Sequence, residues 1–212
     1  MPAFQGAPVE VMAAAHRRGV EAIRSGPGDA KVGWTLALID VQAVDGGEAR
    51  RDEAVELAQG VWLDVSADDD FFGVQTYTRE RIGPDGIVAR PDGAETMLTG
   101  WEVYPSALEH SVRAAAARAG VPVLVTEHGC ATDDDELRIR STTEGLEGLR
   151  RCIADGIDVR GYLHWSLLDN FEWISGFGVT FGLVAVDRTT FERTPKPSLQ
   201  WLGEVARRNG LR

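Results

Sequence analysis

Glu127 directly follows the apolar run VPVLVT, so a carboxylate stands where a buried strand should end. Residues 161–173, GYLHWSLLDNFEW, close another apolar run with Trp165, Asp169, Asn170, Glu172 and Trp173. Gln75 and Tyr77 end a third, FFGVQTYT. Such a set suits a polyhydroxylated ring, because indole faces stack on its C–H surface while carboxylates and amides take its hydroxyls. A tyrosine hydroxyl within reach of Glu127 would orient that carboxylate and hold it ionised, as a nucleophile requires. Glu172, wedged between Phe171 and Trp173, needs a polar partner, and two adjacent sugar hydroxyls would serve. Plainer uses exist for each. A glutamate after a strand also caps helices or forms ion pairs, and tryptophans fill cores. Asp169 and Asn170 fit best as loop-shaping residues whose side chains bond nearby backbone.

The elements that must hold these residues are readable from periodicity. Val9, Met12, Ala13, His16, Val20 and Ile23 recur at helical spacing and stop at Ser-Gly-Pro-Gly. Residues 31–39 read as a strand, 48–63 as a helix and 71–78 as a second strand, followed by a Gly/Pro/Asp-rich loop from Arg79 to Gly100. Ser106 with Glu109 forms a capping box that opens a helix ending near Gly120. A strand over 121–126, a helix over 134–155, a strand over 158–167 and a closing helix over 197–209 complete the chain, with a loop or hairpin containing FGLVAVD before that last helix. Apolar strands alternating with amphipathic helices predict a parallel sheet covered by helices. The polar residues fall just after the strands, where barrels and doubly wound sheets both place active sites. No glycine-rich phosphate loop follows any strand, which disfavours the nucleotide-binding doubly wound sheet.

Composition excludes several classes. The 212 residues carry a formal charge of −11 with no basic stripe, which argues against nucleic acid. No stretch approaches the roughly 20 apolar residues that span a bilayer. The N-terminus lacks a basic segment followed by an apolar one, so a cytoplasmic location is expected. Cys130 and Cys152 lack CxxC spacing and read as free thiols, and the scattered histidines predict no metal site. No cofactor is expected.

VTEHG at 125–129 resembles the (I/V)TENG motif of glycoside hydrolase family 1, the β-glucosidase family. WSLLDNFEW is similar to that family's eighth-strand signature, and FFGVQTYT to its sixth-strand motif DFxGxNYY. GWEVYP at 100–105, FGLVAVD at 181–187 and RTPKPS at 193–198 agree as well, so the resemblance runs from about residue 9 to the end. It implies a retaining glycosidase with Glu127 as nucleophile and Tyr77 as its hydrogen-bond partner. It also implies a glycone site lined by Trp165, Glu172 and Trp173, with Trp101 flooring the aglycone side. Family members acting on 6-phosphorylated sugars carry serine at the position of Glu172. A carboxylate there repels phosphate, so the expected substrate is an unphosphorylated β-glycoside or oligosaccharide.

Two residues depart from the family pattern: His128 and Gln75 each stand where asparagine is usual, and Gln75 would weaken hydrogen bonding around the sugar 2-hydroxyl. A larger departure is length. The family fold is a single (β/α)8 barrel, and its acid/base glutamate lies in a T-x-N-E-P motif; no Asn-Glu-Pro occurs in these 212 residues. The resemblance therefore implies an α/β fold that is a partial (β/α)8 TIM barrel, roughly strands five to eight with their helices, as one domain over 1–212. Half a barrel exposes two strand edges and one inner sheet face. Self-association or pairing with an N-terminal half-barrel is expected, together with impaired hydrolysis by the chain alone. The alternative is a non-catalytic carbohydrate-binding or interaction fragment.

Overall fold

The structure, a computed structural model, describes residues 7–211; residues 1–6, which opened the N-terminal reading above, lie outside the described residues. Helix α1 spans Ala7–Arg24. Four strands form one parallel sheet in the order β1 (Gly33–Ala37), β3 (Phe71–Gln75), β6 (Val123–Glu127), β7 (Val159–Tyr162). Between them run α2 (Glu48–Val55), which continues through a π-turn over Glu56–Gly60 into α3 (Val61–Val65), then α4 (Ser106–Ala119) and α5 (Asp135–Ala154). Helix α6 (Pro197–Arg208) closes the chain, with Pro197 at its first turn, where a missing N–H costs nothing. The sheet is an arc of four βα units, as the alternation of apolar runs and helices predicts.

Burial separates the two faces of the sheet. Phe72, Val74, Val123 and Val125 are fully buried against Leu108, Val112 and Ala115 of α4 and Leu149 and Cys152 of α5. The opposite, inner face carries Thr35 and Ala37, both exposed. On that face the Thr35 and Thr126 hydroxyls meet at 2.7 Å across Gly73. A Cβ at Gly73 would lie 2.8 Å from the Thr35 side chain, so the strand needs glycine there.

One irregularity re-aims the site. The β3–β6 register shifts so that Val74 faces Val125 but Gln75 faces Glu127. Val125 points to the helices, whereas Thr126 and Glu127 both turn to the inner face, two successive residues on one side. A β-bulge does this, and without it the strand's alternation would bury Glu127 in the helix layer.

Several elements differ from the sequence expectation. The segment 79–100 contains a hairpin, β4 (Arg79–Gly83) with β5 (Gly86–Val88), and β4 also pairs in parallel with β2 (Asp40–Ala43). These strands continue the chain past the C-terminal ends of β1 and β3 and build a wall above the sheet. The expected strands over 71–78 and 158–167 stop at Gln75 and Tyr162, because the chain leaves the ladder for the mouth. Ser106 caps nothing: Pro105 occupies the cap position without a side-chain bond. Glu109 is drawn instead to Arg113 at 2.8 Å and Arg151 at 2.6 Å, two guanidiniums that outcompete a backbone amide. Asp134 does cap α5, accepting from the Glu136 and Leu137 amides. On α1 only part of the expected stripe is covered; Ala13 and Val20 are buried, whereas Met12 and Ile23 are half exposed. His16 anchors this helix, its ring 4.4 Å from that of Trp34 and its Nε2 2.9 Å from Asp69 Oδ1.

Candidate active site

The site assembles at the C-terminal ends of β3, β6 and β7. Tyr77 Oη donates to Glu127 Oε2 at 2.5 Å, and Gln75 Nε2 donates to Oε1 at 2.8 Å. Both carboxylate oxygens are thus held, one by each end residue of the same Gln-Thr-Tyr segment. Burial, reinforced by the hydrogen bond to Glu127 and by the charges of Glu127 and Glu172, pushes the Tyr77 hydroxyl well above the usual tyrosine range. It therefore remains a donor to Glu127.

Aromatic side chains fix Tyr77. Trp101 lies tilted against it with ring centroids 5.9 Å apart, and Phe181 packs edge-on at 5.6 Å. Phe181, 3 % exposed, lies in the FGLVAVD motif, which assigns it no role. Its signal was that motif alone, since an isolated phenylalanine reads as core.

On the β7 side, Trp165 Nε1 donates to Glu172 Oε2 at 3.2 Å, the polar partner that Glu172 required. Trp165 is brought beside the Glu127 segment by its backbone N–H, which donates to the His128 carbonyl at 2.9 Å. The two chains approach so closely that a Cβ on Gly129 would fall 1.9 Å from the Trp165 carbonyl oxygen. Asp169 shapes the loop as expected: its Oδ1 accepts from the Gly182 amide at 2.8 Å and from Lys196 Nζ at 3.0 Å. Asn170 Nδ2 donates to Ser166 Oγ at 3.1 Å.

Gln75, Tyr77 and Glu127 thus form one bonded group, Trp101 joins it through Tyr77, and Trp165 with Glu172 forms a second group whose charge reaches Tyr77. Trp173 is not brought in. It is 79 % exposed with φ +46°, on a short turn whose neighbour Ile174 is fully exposed. Gln75, by contrast, is brought in, one N–H of its amide engaged by the carboxylate. His128 lies beneath the site, not in it: buried, with Nδ1 2.9 Å from Tyr162 Oη, it has its pKa lowered by burial, and secondarily by His164, to about 3.

Residues 65–211 match the family model described as Glycosyl hydrolase family 1. The chain belongs to glycosyl hydrolase family 1. A β-galactosidase of Sulfolobus acidocaldarius is 35% identical over 174 residues, covering 75% of this chain and 35% of its own length. Thermostable β-glucosidase B of Thermobispora bispora is 38% identical over 164 residues, covering 68% and 34%. Among solved structures, β-glycosidase BGL167 superposes with a TM-score of 0.91 at 48% identity, over 96% of this chain and 49% of that one. A β-glycosidase from Pyrococcus horikoshii does so with a TM-score of 0.88 at 30% identity, over 96% and 54%. The chain therefore spans about a third of the curated relatives' length and about half of the solved structures'. The arc of four βα units is part of a (β/α)8 barrel.

Proposed function

We propose that these residues form the nucleophile-bearing half of a retaining β-glycosidase active site. The observation that carries this reading is the double clamp on Glu127. A carboxylate fixed through both oxygens at a barrel mouth is pre-aimed at a reacting carbon and needs no reorganisation to attack it. In the first step a Glu127 oxygen bonds to the anomeric carbon as the glycosidic C–O bond breaks, giving a glycosyl-enzyme ester. Water then cleaves that ester, and the configuration is retained overall. Trp165 and Glu172 hold the sugar ring, the indole against its apolar face and the carboxylate on its hydroxyls; the acidity of Glu172 favours an unphosphorylated sugar.

Retention also requires a second carboxyl about 5–5.5 Å from the first, to protonate the leaving oxygen. The family's Asn-Glu-Pro motif that supplies it is not within these 212 residues. We assign that role to a complementary set of βα units, on the same polypeptide or another. By themselves the 212 residues hydrolyse ordinary glycosides poorly, because general acid assistance is worth roughly 10²–10⁴-fold.

A 2-fluoro-glucosyl donor with a dinitrophenyl leaving group tests the nucleophile without the acid, since that group departs unprotonated. Intact-mass spectrometry should record one glycosyl adduct, mapping to Glu127 and absent in Glu127→Gln. An adduct elsewhere, or none while sugar binding persists, would replace this reading with a non-catalytic carbohydrate-binding module.

A further inference from the structure

The ladder between β6 and β7 ends at the Val125–Tyr162 pair, yet Glu127 and Trp165 lie further along the two chains. Leu163 N–H still donates to the Val125 carbonyl at 2.8 Å, and Trp165 N–H to the His128 carbonyl at 2.9 Å. Past the ladder, the spacing of the two chains depends on what else ties them together.

Three side chains do so. His128 Nδ1 lies 2.9 Å from Tyr162 Oη, and the same hydroxyl lies 3.3 Å from His164 Nδ1. Tyr162 Oη also sits 3.4 Å from the His128 carbonyl oxygen. His128 adjoins Glu127 and His164 adjoins Trp165, so this bridge runs from the residue behind the carboxylate to the residue before the indole. Burial keeps both imidazoles neutral, and each therefore offers one N–H and one lone pair. The hydroxyl between them can donate to one ring while accepting from the other. A bridge of this kind is directional, unlike an apolar contact, and so fixes a distance. Helix α5 makes room for it. A Cβ at Gly145 would lie 2.8 Å from His128 Cε1 and 3.1 Å from Nε2. Glycine is disfavoured in the interior of a helix, and at this position the imidazole requires it.

We propose that His128, Tyr162 and His164 are positioning residues that set how far the Trp165–Glu172 pair stands from Glu127. That this spacing governs sugar binding rests on the reading of Glu127 as nucleophile and of Trp165 and Glu172 as the grip on the ring. Gln75 and Tyr77 hold the carboxylate from the β3 side. Loosening the bridge therefore shifts the indole and leaves the carboxylate aimed.

The test uses the full chain and two variants: Tyr162→Phe removes one hydroxyl and keeps the ring, and Gly145→Ala drives a methyl against His128. Val20→Ala, a truncation on the buried side of α1, controls for lost stability alone. The NMR signal of the Trp165 indole N–H, assigned by its loss in Trp165→Phe, should shift in the first two variants and stay in place in the third. In saturation kinetics with the 2-fluoro-glucosyl donor, the first two should bind it about tenfold more weakly, the scale of one hydrogen bond, while the limiting labelling rate stays within about twofold. Either variant suffices if the other fails to fold. A limiting rate that falls with binding unchanged, or an indole signal that moves in all three variants or in none, would overturn the proposal. The indole signal needs no sugar. If the native chain never labels Glu127, the glycosidase reading fails, and the N–H shifts still decide whether the bridge positions Trp165.

Discussion

Tyr77 holds one oxygen of Glu127 through its hydroxyl. Replacing it with phenylalanine removes the donor on Glu127 Oε2 and leaves Gln75 alone on Oε1. Labelling of Glu127 by the activated donor should slow by about 10–100-fold in Tyr77→Phe, consistent with the loss of one charge-assisted hydrogen bond of about 1.5–3 kcal/mol, as pre-steady-state mass spectrometry would measure. The histidines beneath the site make a pH prediction. Burial lowers the His128 pKa to about 3 and that of His164 to about 4, against about 6.5 in an unfolded chain. Both are neutral when folded, so the unfolded state binds more protons below pH 6.5. Their stabilising contribution is complete above that pH and is lost as pH falls towards 4, at up to about 1.4 kcal/mol per pH unit for each. Urea denaturation midpoints should fall over that window, and His128→Asn should flatten the slope by one proton; an unchanged slope would refute the assignment. At this scale the sequence was informative about residue types and less so about partners. Glu127 and Glu172 stood out because each broke an apolar pattern, whereas Tyr77 and Trp165 were singled out by the motifs of the resemblance. The Gln75 clamp was not, because it depends on a bulge that no residue in β6 announces.

Elements are joined here by buried polar links as much as by apolar packing. Arg138 of α5 is 1% exposed, ion-paired with Asp135, and donates to the Thr132 and Thr180 carbonyls. Asp135 in turn accepts from the backbone amide of Ser198 at 2.7 Å and its hydroxyl at 2.8 Å, so the N-terminal ends of α5 and α6 are tied through one carboxylate. Arg138→Met removes the cation and leaves those acceptors buried, which should cost about 3 kcal/mol in chemical denaturation, in line with broken buried pairs. A loss under 1 kcal/mol would mean that water replaces the guanidinium. The order of strands and helices was legible from period and punctuation. The β4–β5 hairpin was not: Gly83, Pro84 and Asp85 mark a turn, but its flanks lack the alternation that marks a strand. The capping box at Ser106 misled for a related reason, since a local motif competes with distant arginines that a linear reading cannot place.

At the scale of the molecule the sheet has two open edges, β1 and β7, and an exposed inner face. Unpaired edges recruit other strands. The 212 residues alone should run above monomer mass in light-scattering chromatography, and Ala37→Lys with Leu163→Lys, at exposed positions on the two edges, should shift them towards monomer. A monodisperse monomer for the unmodified chain would contradict this. The same strand order has a consequence for how a partner would be felt. Glu127 stands on β6, an inner strand paired on its two sides with β3 and β7. Trp165 and Glu172 follow β7, an outer strand with one flank unclaimed. Anything that docks there will disturb Trp165 and Glu172 first and reach Glu127 last, so under the proposed function affinity would be negotiable while the aim of the carboxylate stayed insulated.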